Sequence, residues 1–158
     1  MMKAGKTRLD DFDIKLLQVV QFDNLMQPRQ ISDRACLPAA AGARRPKRRR
    51  SAEIIRKDVS ILSERVVGCP QTVIVEVTAK NGKLDLLDGL KRRFLNCHQV
   101  QQCYHVTGEA DFILIINTRD MDEYASLTRQ LFFKKGNVKS FRTCVIMEKV
   151  KSAGPIAL

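Results

Sequence analysis

Between residues 72 and 147 the spacing of apolar residues switches repeatedly between two and three-to-four, and this switching most constrains the fold. Val73, Val75 and Val77 alternate through 72–78, the period of a half-buried strand. After the Asn81-Gly82 turn, Leu84, Leu87, Leu90 and Phe94 recur at helical spacing. Val100, Tyr104 and Val106 mark a second strand, and Gly108-Glu109-Ala110 reverses the chain. Phe112, Leu114 and Ile116 make a third strand, and Ile113 and Ile115 render it apolar on both faces, as in a central or partner-covered strand. Asp120 and Glu123 have capping-box-like spacing before a helix that buries Tyr124, Leu127 and Leu131. Gly136-Asn137 stops that helix, and 138–147 is the last strand. The order β-α-β-β-α-β is the ferredoxin-like split βαβ, with two helices on one sheet face and the other face bare. A bare, partly apolar face predicts a homodimer at least.

The first third is helical instead. Leu9, Phe12, Leu16 and Val20 share a helix face, with Asp10 and Asp11 at its N-terminus. Pro28 opens a short second helix with Ile31 and Ala35 on its apolar side, and Cys36-Leu37-Pro38 interrupts it. A third helical stretch runs from about Ala39 and contains the basic residues of 44–50. Short helices joined by a brief turn, the later one strongly basic, form a helix-turn-helix pattern. The predicted fold is therefore α+β: a helix-turn-helix domain at 1–53 and a linker or short strand at 54–70. A ferredoxin-like βαββαβ sandwich follows at 71–150, with a tail at 151–158.

Charge separates the two parts. Residues 1–60 hold 14 basic and 7 acidic side chains, a net of +7, whereas 61–158 hold 14 and 10, a net of +4. The excess in the shorter part points to an anionic partner, best matched by nucleic acid, and the helix-turn-helix pattern favours double-stranded DNA. No apolar run approaches the ~18 residues of a membrane span. Five scattered cysteines argue against a disulfide scaffold and for a reducing, cytoplasmic setting. No Ser-His-Asp or Cys-His set falls on one face and no phosphate-cradling glycine loop is present, so no catalytic residue is assigned. Glu76 and Glu148 could be adjacent across two strands, but surface carboxylates in a sheet are usually solvated or paired with Lys. Cys97, His98, Cys103 and His105 match no standard zinc spacing, and neither a metal nor a cofactor is assigned. An RNA-binding reading needs aromatics on exposed central strands; Tyr104 and Phe112 are available, but the basic-aromatic signature is absent.

Several stretches together resemble the leucine-responsive regulatory protein/AsnC (feast/famine) family of transcription regulators. They are Leu9-Asp10-x-x-Asp13-x-x-Leu16-Leu17 and Ala43-Arg44-Arg45-x-Lys47-Arg48 in the helical part. In the second part they are Cys103-Tyr104-His105-Val106-Thr107-Gly108-x-x-Asp111-Phe112 and Thr143-x-Val145-x-Met147-Glu148. The resemblance spans roughly 9–150. It implies sequence-specific DNA binding by Ala39, Ala40, Arg44, Arg45, Lys47 and Arg48. It also implies a small amino-acid effector held near Thr107, Gly108, Asp111 and Thr143, and a homodimer that often assembles further.

Two positions depart from the family pattern. Helical spacing turns 46 and 49 inward, where apolar residues are expected, and they are Pro46 and Arg49. Pro in a helix interior costs on the order of 3 kcal/mol, and Arg49 would bring a charge among apolar neighbours with nothing visible to compensate it. The alternative reading is therefore an amino-acid sensor or assembly module whose DNA-reading helix is impaired.

Overall fold

The computed structural model describes residues 9–36, 38, 46, 49, 50, 52–133, 136–152 and 154–158. The chain separates into two compact units, Met1–Ser60 with Lys151–Leu158, and Ile61–Val150.

In the first unit, α1 spans Asp11–Val20 and α2 spans Pro28–Arg34. Asp10 is the N-cap of α1. Its carboxylate accepts from Asp13 N at 2.7 Å, and Asp10 N donates to the Asp13 carboxylate at 3.1 Å. This reciprocal box satisfies two of the N–H groups that a helix start leaves unpaired. Leu16 of α1 and Ile31 and Ala35 at α2 are buried, as their spacing predicts; Leu17 is buried as well, whereas Phe12, expected on the Leu16 face, is exposed.

Ala39, Ala40, Arg44, Arg45, Lys47 and Arg48 lie outside the described residues. Pro46, Arg49 and Arg50 are helical, and Pro46 and Arg49 are buried. The expectation that Arg49 lacks compensation is corrected here. Its Nε donates to Asp13 Oδ1 at 2.9 Å and its Nη2 donates to Asp13 Oδ2. Asp13 is fully buried and Arg49 nearly so. A charge occupies an inward position because α1 supplies the opposite charge, so Arg49 is no ground for an impaired helix.

The helical stretch then ends in a Schellman motif. Ile54 N donates to Arg49 O and Glu53 N to Arg50 O, both at 3.0 Å. Glu53 sits at φ +57°, in the left-handed region that favours glycine. Beyond it, residues 56–63 run without helix or strand, so no short strand forms there.

The second unit contains β1 (Gln71–Ala79), α3 (Leu84–Leu95), β2 (Val100–His105), β3 (Phe112–Thr118), α4 (Met121–Thr128) and β4 (Val138–Val145). The sheet order is β2-β3-β1-β4 with every neighbour antiparallel, the ferredoxin-like arrangement. Val73, Val75 and Val77 of β1 and Phe112, Leu114 and Ile116 of β3 are fully buried under α3 and α4. Phe94 of α3 packs edge-on to Phe112 at 5.5 Å between ring centroids. Asp120 caps α4 by accepting from Glu123 N at 2.7 Å. After Thr128 the helix passes into one π-helical turn, Arg129–Phe133, which buries Leu131 and sets Phe132 4.5 Å from the Phe141 ring. Phe112 thus belongs to the core, not to an exposed base-stacking surface.

Two outcomes follow for the first unit. Asp13→Ala strands a buried guanidinium and should cost about 3–5 kcal/mol, whereas Asp13→Leu with Arg49→Leu should recover most of the loss. Denaturant unfolding followed by far-UV circular dichroism separates these variants. In the same assay Glu53→Gly should stabilise by about 1 kcal/mol, because glycine adopts the left-handed conformation without strain.

Candidate functional site

The alternation that buries one face of the sheet places a second set of side chains on the opposite face. There the register aligns Arg142 with Glu76 and Glu76 with Ile113, and Ile113 with Tyr104. The neighbouring row aligns Cys144, Ile74 and Ile115. The isoleucines are only half-buried and Tyr104 is 51% exposed, so among the described residues of this unit no helix covers this face.

An open cleft of about 700 Å³ lies over it, lined by Glu76, Ile113 and Arg142 from the sheet and by His105, Val106, Thr107, Glu109 and Ala110 from the β2–β3 hairpin. Arg142 Nη2 straddles the Glu76 carboxylate, 2.8 Å from Oε1 and 2.7 Å from Oε2. Glu76, with Glu109 also nearby, holds the Arg142 guanidinium above its ordinary pKa. The cleft therefore offers a permanent cation, two carboxylates and an apolar floor at Ile113. It can hold a small zwitterion with an apolar portion.

The hairpin wall is rigidly based. Asp111 N donates to Val77 O at 2.9 Å, and Val106 N donates to Asp111 O at 3.0 Å. The Asp111 carboxylate accepts from Ala79 N at 2.7 Å. Asp111 therefore fastens the hairpin to the end of β1. Gly108 adopts φ +122°, a backbone shape that a side chain would strain, at the turn beside Thr107.

The structure thus brings Thr107, Gly108 and Asp111 together but not Thr143. Thr143 pairs with the buried Val75, on the helix-covered side, and its hydroxyl is 2.5 Å from Tyr124 Oη. Burial pushes the Tyr124 phenol up, against the opposing effect of that hydrogen bond. The carboxylate pair considered from sequence does not form either: Glu76 faces Arg142, and Glu148 follows the end of β4.

Glu76, Arg142 and Glu109 are the charged cleft residues that the sequence did not assign to the effector site. The alternation of β1 and β4 marks 76 and 142 as outward, but only the strand register shows that they meet. Among the described residues no group of three or more His, Cys, Asp and Glu could hold a metal. Cys103 packs toward the core, which pushes its thiol pKa up, and His105 stacks on Phe112 at 4.9 Å.

Residues 72–156 match the family described as the Lrp/AsnC ligand binding domain. An uncharacterised HTH-type transcriptional regulator of Sinorhizobium fredii is 41% identical over 144 residues, 91% of this chain and 85% of that one. The chain belongs to the Lrp/AsnC family of transcriptional regulators. Another relative, the leucine-responsive regulatory protein of Haemophilus influenzae, is 28% identical over 158 residues, all of this chain and 95% of its own length. Among solved structures, a Neisseria meningitidis transcriptional regulator in complex with L-Met aligns with TM-score 0.88 at 23% identity, over 95% of this chain and 97% of that one. A feast or famine regulatory protein of Mycobacterium tuberculosis, complexed with L-methionine, aligns with TM-score 0.82 at 22% identity, over 92% and 96%. The cleft and its hairpin thus fall inside the stretch that matches the Lrp/AsnC ligand binding domain.

Because Asp111 secures the hairpin, Asp111→Ala should destabilise the Lrp/AsnC domain by about 1.5–3 kcal/mol, the worth of a hydrogen bond to a charged group. Asp111→Asn keeps an oxygen for Ala79 N and should lose less. Thermal unfolding of the two variants measures the difference.

Proposed function

We propose that this protein is a sequence-specific, DNA-binding transcription regulator that responds to a small amino acid. The observation that carries the reading is the cleft on the uncovered sheet face, within the part of the chain that matches the ligand binding domain. In this reading the effector's ammonium group sits against Glu76 and Glu109, and its carboxylate against Arg142 and the hairpin backbone near Thr107 and Gly108. Its side chain lies over Ile113. Asp111 acts by holding the hairpin in place.

The N-terminal unit acts as the helix-turn-helix. Arg44, Arg45, Lys47 and Arg48 supply phosphate and base-edge contacts, with Ala39 and Ala40 letting the backbone approach the duplex. Family membership and the basic excess of residues 1–60 support this assignment. The half-buried isoleucines of the uncovered face support pairing with a second copy, which would also close the cleft. The five free cysteines fit a reducing cytoplasm. Similarity to transcription regulators argues against an enzyme.

A thermal-shift screen of the twenty amino acids tests the reading. At a hundredfold excess over its dissociation constant, a true effector adds about 2.7 kcal/mol. Arg142→Ala should remove that shift while leaving the unliganded melting temperature nearly unchanged, since Arg142 is largely exposed. If no amino acid shifts the wild type, or if Arg142→Ala keeps the full shift, the cleft is not the effector site.

A further inference from the structure

The basic run at 44–50 is not a uniform reading surface, because two of its members are engaged inside the protein. Arg49 is buried against Asp13. Arg50 is held differently, by the linker. Its Nε donates to Asp58 Oδ2 at 2.6 Å and its Nη2 to Asp58 Oδ1 at 3.1 Å. Two parallel N–H···O bonds from one guanidinium are the geometry with which arginine also grips a phosphate. Both side chains are more than a third exposed, Arg50 at 37% and Asp58 at 39%, so a polyanion in solution could compete for the same fork.

An exposed ion pair by itself is worth little. This one has a brace: Asn24, in the turn between α1 and α2, donates from Nδ2 to Asp58 Oδ1 at 2.9 Å. Three segments therefore converge on one carboxylate: the end of the basic run, the α1–α2 turn and the linker. The hydrogen bonds from Arg50 and then Asn24 hold the Asp58 carboxyl at about 2, so it is charged across the physiological range.

We propose that Asp58 is an internal competitor for the DNA backbone: it occupies the phosphate-binding fork of Arg50 and keeps that residue out of the duplex contact. Arg50 is then a latent phosphate ligand, and displacement of the linker at residue 58 adds one contact to the reading head. The inference rests on the duplex-binding reading above and adds a regulatory contact to it.

Salt-dependent binding of the full-length protein to a fluorescent duplex from its own upstream region tests the proposal. The variants are Asp58→Asn, Asn24→Ala, Arg50→Ala and the double variant Asp58→Asn with Arg50→Ala. Asp58→Asn keeps an oxygen for Asn24 but removes the charge that holds Arg50. It should steepen the slope of log affinity against log salt by about 0.9, the worth of one phosphate contact. Asn24→Ala leaves both charges in place and should steepen the slope by a smaller amount. Arg50→Ala alone, and the double variant, should keep the wild-type slope.

An unchanged slope in both Asp58→Asn and Asn24→Ala overturns the proposal. So does a double variant as steep as Asp58→Asn, since loss of one negative charge would then explain everything. Because Asn24→Ala is read independently, the test survives if Asp58→Asn unfolds the N-terminal unit. A wild type without salt-dependent duplex binding overturns the DNA-binding reading as well, whereas a binding wild type with unresponsive variants overturns only this one.

Discussion

Four strands can bury one face under two helices only if every second side chain points the other way. In β1 the rule turns Val73, Val75 and Val77 into the core and Ile74 and Glu76 away from it. β3 obeys it with Phe112, Leu114 and Ile116 inside and Ile113 and Ile115 outside. Shifting β1 by one residue would drive Glu76 under the helices and expose three valines, at a cost of several buried side chains worth about 1.5–3 kcal/mol each. The cleft depends on that register. Its ion pair forms because Glu76 and Arg142 are opposed across β1 and β4. Its wall is a hairpin anchored by Asp111 to the end of the same β1 strand.

The N-terminal unit solves a different problem. Leu16, Leu17, Ile31 and Ala35 are among its buried apolar side chains. At position 49 the chain uses a buried ion pair instead. Asp13 closes the capping box of α1 and accepts two hydrogen bonds from Arg49, so one carboxylate both starts a helix and receives another. An ion pair of this kind adds less stability than a packed leucine would, but it is directional and penalises any arrangement that separates the charges. The Asp58 contact to Arg50 likewise ties a second member of the basic run to one of the protein's own carboxylates.

Most of the fold was legible in the sequence because hydrophobic periodicity is a local signal. The strands at β1 and β3 and the buried faces of α3 and α4 follow directly from where Val, Leu, Ile and Phe recur. The strand ends are shorter than their apolar patterns, with β2 stopping at His105 and β4 at Val145. Pattern marks which way a residue faces but not where pairing ceases. The site was legible only in part. Gly108 and Asp111 stand out as turn residues near each other in the chain, and they do form one hairpin. Thr143 came with the resemblance, and the pairing of β4 with β1 puts it on the helix-covered side.

The sequence by itself determined the element order, the buried face of each element and the position of the basic excess, because each depends on residues within a few places of one another. Tertiary structure alone decided which charges meet. Arg49 finds Asp13 across 36 residues of chain and Arg142 finds Glu76 across 66, and no local pattern carries those separations. The physical reason is that an ion pair needs two side chains within a few ångströms, and that proximity exists only after the apolar faces have packed. Packing first sets the backbone in place, and the charges then meet, buried as Arg49 and Asp13 are or open to solvent as Arg142 is beside Glu76.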